Sequence, residues 1–303
     1  MRKRRAVAHL QQHGPVSQRR ACQTVDQPRA TQRYQGRKPA TDGPLVVRLR
    51  ALALRHPRYG YRRITALVRA EGWRVNRKRV QRLWRMEGLK VPGKQRKRRR
   101  LGWTENSAVR RRAERPNQVW SYDFVWDQTA DGRRLKWLPV VDEYTRECLT
   151  LPVARSLTGA DVVAELRRLV AERGAPEYLR SDNGPEFVAR EVREWLERER
   201  IHTLYIEPGS PWENAYSESF NSRLRDEFLD REVFDTVLEA KVLAAAYRRE
   251  YNERRPHSAL GYRAPMEFAA ACRRKKFSLP LGGGKRRQQR QQQQPKTLIQ
   301  VGT

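Results

Sequence analysis

Apolar positions recur at helical spacing in three short segments in the first third of the chain. Leu45, Leu49 and Leu52 share one face over 45–55, and His56-Pro57-Arg58-Tyr59-Gly60 breaks that pattern. Ile64, Leu67 and Val68 repeat it over 61–70, before a turn at Glu71-Gly72-Trp73. Val80, Leu83 and Trp84 repeat it over 77–87, with Asn76 placed as the N-cap. After residue 115 the pattern changes. Residues 119–125 are aromatic and β-branched, a strand signal. Segments 135–141 and 147–153 continue an antiparallel set, with Asp131-Gly132 as a hairpin turn. Thr158 caps an amphipathic helix over 159–172 that Gly174 stops. A strand at 177–181, a helix at 187–200, a strand at 202–206, a Pro/Gly loop at 208–211 and a helix from Trp212 onward follow. Val233, Val237, Ala240, Leu243, Ala244, Tyr247 and Tyr251 then mark a further helical stripe. Three strands followed by alternating helix and strand predict an α/β (α+β) domain: a mixed five-stranded sheet with helices on both faces, preceded by an all-α domain.

The segmentation expected is a basic N-terminal arm (1–44), a helix-turn-helix domain (45–91), a basic linker (92–114), a core domain (115–275) and a disordered basic, Gln-rich tail (276–303). In the arm, Ser17 is placed to cap a short helix. In the all-α domain, a helix, a Gly turn and a basic second helix make a helix-turn-helix pattern. Arg77, Lys78, Arg79, Gln81, Arg82 and Arg85 are its candidate DNA-binding residues; a small bundle with a solvated basic face is the alternative.

Charge sharpens this picture. The chain of 303 residues carries 65 basic and 34 acidic residues, a net charge of +31. That excess calls for a polyanionic partner, with nucleic acid ahead of an anionic membrane surface. Lys94 to Arg100 holds six basic residues in seven, suited to phosphate contacts that carry no sequence information. No apolar run approaches the roughly 18 residues needed to span a bilayer. Cys22, Cys148 and Cys272 are odd in number and widely spaced, which fits reduced thiols and a cytoplasmic protein. His9 and His13 have the spacing of a metal pair, but no C-x-x-C accompanies them, and zinc is not expected.

The candidate chemistry lies in three carboxylates. Asp123 follows Trp120-Ser121-Tyr122, Asp182 opens Asp182-Asn183-Gly184-Pro185 at a strand end, and Glu218 follows Asp182 with 35 residues between them. Asn214, Glu218, Asn221 and Arg225 share one polar helical stripe, beside a docking stripe of Phe220, Leu224 and Phe228. Hydrolysis of a phosphodiester needs an activated water and a stabilised leaving oxygen. Two divalent ions about 3.5–4 Å apart supply both. Mg²⁺ prefers hard oxygen ligands and keeps several waters, so a few carboxylates suffice. Asp127 and Asp142 are competing ligands on chemistry alone. Asp142 is read as bracing a strand end, and Glu186 as the start of the next helix. No G-x-x-x-x-G-K-[ST] loop is present, so no nucleotide-driven step is expected.

These motifs, taken together and in order, resemble the OrfB proteins of IS-three-type bacterial insertion sequences, which are transposases with a retroviral-integrase-like core. The resemblance is carried by Trp120 through Asp123, by Ser181 through Phe187, by Asn214-Ala215 with Glu218-Ser219-Phe220, by Arg225 seven places after the glutamate, and by Tyr251 through Tyr262. It spans roughly residues 1–275. It implies a ribonuclease-H-like core and a DDE transposase with Asp123, Asp182 and Glu218 as catalytic and metal ligands. Asn183, Gly184 and Asn214 would support them, and Arg225 would hold a phosphate. The cofactor would be two Mg²⁺ or Mn²⁺ ions. The partners would be double-stranded DNA (terminal inverted repeats and target), further copies of the chain and a smaller upstream-frame OrfA protein, in a bacterial, nucleoid-associated setting. Two rival readings stand beside it. One is an inactive DNA-binding protein or repressor. The other, a tyrosine recombinase, needs an H-x-x-R motif that none of the five histidines supplies.

Overall fold

The computed structural model describes residues 2–33, 39–91, 112–182, 184, 187, 189–205 and 215–277. The chain divides into two compact units. One comprises Met1–Ser107 with Leu224–Arg231, the other Ala108–Arg223 with Glu232–Thr303.

The first unit begins with three helices where an arm was expected: α1 (Arg2–His13), α2 (Gln18–Thr24) and α3 (Arg29–Arg33). They bury Val7, Ala21 and Cys22, with Leu10, Val16 and Val25 packed around them. Dense Arg and Gln dilute the apolar spacing here, so composition hid a small core. The Ser17 cap is present, its hydroxyl accepting the Arg20 N–H. Cys22 is buried in this core.

Next come α4 (Pro39–Arg55), α5 (Tyr61–Ala70) and α6 (Arg77–Met86). Helix α4 starts earlier than the apolar pattern indicated. A separate core forms from Leu45, Leu49, Leu52, Ile64, Val68, Val80, Leu83 and Trp84, the residues whose spacing predicted the helices. Asn76 caps α6 by accepting the Arg79 N–H at 2.7 Å.

In the second unit each of the three expected strands bends and splits. Residues 119–125 become β1 (Val119–Tyr122) and β2 (Val125–Gln128). Residues 135–141 become β3 (Arg134–Trp137) and β4 (Val140–Asp142). Residues 147–153 become β5 (Cys148–Thr150) and β6 (Val153–Ala154). The halves enter two sheets. Strands β5-β4-β1 continue through β7 (Tyr178–Ser181) and β8 (His202–Tyr205) into a five-stranded sheet, while β2-β3-β6 form a three-stranded one. Breaks fall at Asp123-Phe124, Leu138-Pro139 and Leu151-Pro152. At the latter two, proline lacks the N–H a continuous ladder needs.

The larger sheet is antiparallel from β5 to β1 and parallel from β1 to β8. This mixed order, with helices packed on it, is the ribonuclease-H-like fold. Helix α7 (Gly159–Arg173) makes the crossover from β6 to β7, and α8 (Arg190–Arg198) that from β7 to β8. Thr158 and Asp161 form a capping box on α7, and Gly174 ends it with φ 79°. Trp120, Tyr122, Leu179, Leu166, Leu169, Trp195 and Leu196 share one core between the sheet and these helices. All four residues of β1 are buried, so both faces of this strand are covered. Helix α9 (Ala215–Glu227) carries buried Phe220 and Leu224. Helix α10 (Val237–Glu253) reaches the β5 edge, where the Asn252 amide both donates to and accepts from the Cys148 backbone at 2.9 Å. Helix α11 (Pro265–Phe277) follows.

Two boundaries differ from the sequence reading. Helix α8 starts at Arg190, so Glu186, itself outside the described residues, does not open it. Val233 precedes α10 and is exposed, so it is no part of that stripe.

Candidate metal and DNA-processing site

The parallel pairing of β1 with β7 matches Val119 to Tyr178, Trp120 to Leu179 and Ser121 to Arg180. Two further steps in the same register bring Asp123 opposite Asp182. Both aspartates lie just past the carboxyl ends of adjacent parallel strands, where neighbouring chains run about 4.8 Å apart. By strand alternation both take the side opposite Tyr122 and Leu179, away from the core shared with α7 and α8.

The chain around each aspartate has a physical cause. Asp123 occupies the corner where β1 leaves one sheet and β2 enters the other. Below that corner Phe187 stacks on Phe124 (centroids 4.6 Å apart) and meets Tyr122 edge-on at 4.3 Å. Buried Phe187 thus ties the segment after Asp182 to the segment around Asp123. At Asp182 the carboxylate accepts the Gly184 N–H at 3.0 Å. A Cβ at Gly184 would lie 3.1 Å from that same oxygen, so any larger residue here would require the Asp182 carboxylate to shift by a few tenths of an ångström.

Glu218 is the exposed acid of the first turn of α9, and Asn221 lies one turn on. The Asn221 amide donates to an Asp123 carboxylate oxygen at 2.9 Å, joining α9 to the strand ends. The Asp123 carboxyl is pushed up to about 6, first by burial, then by the charge of Asp182, with a smaller contribution from Glu218. Hydrogen bonds from the Phe124 backbone and Asn221 act in the opposite direction. Three acids from distant parts of the chain therefore share one electrostatic environment, and Asp123 is at its centre. Carboxylate oxygens are the donors Mg²⁺ prefers, and mutual repulsion is what a divalent ion relieves. Yet among the described residues no group of three or more His, Cys, Asp or Glu side chains is arranged to hold an ion as it stands.

The competing acids have other duties. Asp142 is buried and accepts the N–H groups of Asn117 (2.7 Å), Tyr144 (2.8 Å) and Thr145 (3.0 Å), bracing its strand end. Asp127 belongs to the smaller sheet, where it accepts the N–H of Gln128. His257 lies in a turn, against the edge of Tyr251 and 3.0 Å from the Arg255 guanidinium. Asn183, Asn214, the loop at 207–213 and the basic run 94–100 lie outside the described residues. The sequence reading placed Asn221 on the Glu218 stripe but missed its bond to Asp123 and the aromatic support under the corner. The i, i+3 spacing from Glu218 was the available signal.

Of the candidate DNA-contacting residues, Arg77, Lys78, Arg82 and Arg85 are exposed on α6, while Arg79 and Gln81 are half-buried. Arg79 and Arg82 both pair with Asp42 of α4, at 2.8 and 2.5 Å. That pairing holds the Asp42 carboxyl below the usual carboxylate range, the Arg82 hydrogen bond leading. These two arginines therefore also join α6 to α4. Arg225 is exposed in the last turn of α9. Among the described residues no helix is long and apolar enough to cross a membrane.

Known proteins match along most of the chain. Residues 42–99 match an HTH-like domain, and 113–211 and 199–265 match two models of an integrase core domain. An insertion element IS407 protein of 31.7 kDa from Burkholderia multivorans is 42% identical over 85% of this chain and 92% of its own length. An insertion element IS476 protein of 39.2 kDa from Xanthomonas euvesicatoria is 39% identical over 91% of this chain and 79% of its own. A putative transposase, InsK, of the IS150 element of Escherichia coli is 29% identical over 70% and 77%. This chain belongs to the insertion-element transposases of the IS-three OrfB type, in which a helix-turn-helix-like segment precedes an integrase core.

Proposed function

We propose that the chain binds the ends of its own insertion element, cleaves one strand there to free a 3′-OH, and joins that hydroxyl to another phosphodiester. The observation that carries this is the meeting of Asp123 and Asp182 at adjacent parallel strand ends, with Asp123 raised by both Asp182 and Glu218. Asp123 and Asp182 would hold one Mg²⁺ or Mn²⁺ ion, and Asp123 with Glu218 a second. When bound, such a pair lowers the pKa of the attacking water or hydroxyl and stabilises the leaving oxygen. The protein's own part is positioning. Phe187 fixes the corner, Gly184 orients Asp182, and Asn221 holds one Asp123 oxygen so that the other can face a metal. Drawing Glu218 fully into the site completes the donor set, and end DNA is the natural trigger for that step.

The α4–α6 segment would recognise terminal repeats, with Arg77, Lys78 and Arg85 facing DNA and Arg225 holding a phosphate. Two ends must meet, so several copies of the chain act together, alone or with an upstream-frame OrfA protein, at the bacterial nucleoid. Replacing Asp182 by Asn tests the reading: cleavage of end DNA falls roughly a thousandfold or more while binding stays near the wild-type level. Normal cleavage by this variant removes Asp182 from the mechanism. A second reading, a DNA-binding protein without nuclease activity, draws on the incomplete donor set. Under it the unaltered chain binds element ends and leaves them uncut with Mg²⁺ or Mn²⁺ present.

A further inference from the structure

We propose that residues 2–33 form a second helix-turn-helix, separate from α4–α6, that reads double-stranded DNA; this rests on the chain being an element-end-binding protein. Helices α2 and α3 are joined by four residues, 25–28, the length of a helix-turn-helix turn. Within it Asp26 takes φ 49°, the left-handed turn conformation for which glycine is usually chosen. The turn is closed by the Gln27 N–H on the Cys22 carbonyl at 2.9 Å, and the buried Gln27 side chain bonds Gln32 of α3. Helix α1 clamps the motif. Lys3 donates to the Asp26 carbonyl at 2.7 Å, and Arg4 to the Thr31 carbonyl at 2.9 Å. With its own apolar core, this is a built three-helix unit.

Its surface fits a polyanion. Eight Lys and Arg residues stand against one acid, Asp26, which is paired with Lys3 at 3.4 Å. Arg19, Arg20, Arg29, Thr31 and Arg33 are exposed. In a docked helix-turn-helix the second helix enters the major groove while the first crosses the backbone. That geometry assigns Arg29 and Arg33 to base edges, and Arg19 and Arg20 to phosphates. The Arg33 Nε donates to Gln18 at 3.0 Å, which holds the guanidinium beside the start of α2.

Selection from a pool of random-sequence DNA duplexes, using the full chain at fixed salt, tests this. Wild type should enrich two separate sequence blocks. Arg29→Ala with Arg33→Ala should erase one block, lowering discrimination there by roughly five- to a hundredfold, and leave the other intact. Arg77→Ala with Arg85→Ala should do the reverse. Arg29→Lys, which keeps the charge, should retain overall affinity but relax the base preference of the first block. A single block, two blocks that survive the Arg29/Arg33 change, or uniform weakening without loss of preference each overturn the proposal. Selection does not require cleavage, so an inactive nuclease would leave this result readable.

Discussion

Two aspartates of the same sheet make an instructive pair. Asp142 ends β4, and Asp123 follows β1, the strand antiparallel to it. Burial raises both carboxyls. Around Asp142 the cost is offset by three backbone N–H donors, with Glu147 the one acid that adds a repulsive contribution. Around Asp123 one side-chain amide and one backbone donor face two repelling acids. The first is a satisfied structural brace. The second is left electrostatically unbalanced, which is wasteful for stability and suited to a cation site.

The contrast can be broken most forcefully at Asp123 itself. Asp123→Asn should reduce strand cleavage roughly a thousandfold while leaving thermal stability unchanged or raised, because a repulsion is removed. The same change should abolish any rise in melting temperature that Mg²⁺ gives the wild type. Loss of stability in this variant would show that Asp123 is a brace like Asp142. For Asp142→Ala the expected order is reversed. Three N–H groups lose their acceptor, at a cost of about 3 kcal/mol, and thermal melting should shift down by about 6–12 °C. Cleavage by the fraction still folded should persist.

Asn221→Ala is a finer probe. It removes the amide that orients Asp123, so cleavage should fall about tenfold, with a higher Mg²⁺ requirement and little change in melting. An unchanged Mg²⁺ requirement would count against an orienting role. The smallest effect expected is on pH dependence. From the ordinary carboxylate range up to about pH 6, the native state keeps a proton on Asp123 that the unfolded chain has lost. Stability contributed by this group therefore falls as pH rises across that window. Denaturant midpoints between pH 4 and 7 should fall less steeply for Asp123→Asn than for the wild type.

Much of this was legible in the residues. The helical spacing of Leu45, Leu49, Ile64, Val80 and Leu83 foretold the α4–α6 core, because each buried position recurs with the helix period. The strand signal before Asp123, the break after Ser181 and the polar stripe of α9 located the three acids. Less legible were features that depend on what neighbours in space rather than in sequence. The splitting of each strand across two sheets follows from where Asp123, Pro139 and Pro152 line up side by side, which no single segment reveals. The Arg-rich start looked like a loose arm because Val7, Ala21 and Cys22 are too few for a visible period, yet they bury completely. Arg79 and Arg82 are legible in the sequence as basic residues on the exposed side of a helix-turn-helix; their pairing with Asp42 needs the fold.

The parallel pairing of β1 with β7 has a consequence for how the protein comes to be made. Parallel neighbours cannot be closed by a hairpin, so the chain must lay down the meander and the α7 crossover before the two aspartates can adjoin. Such long-range pairings are slow steps of folding. A nascent chain therefore carries its two aspartates apart until the crossover docks, and the acid pair is assembled only when β7 has joined β1.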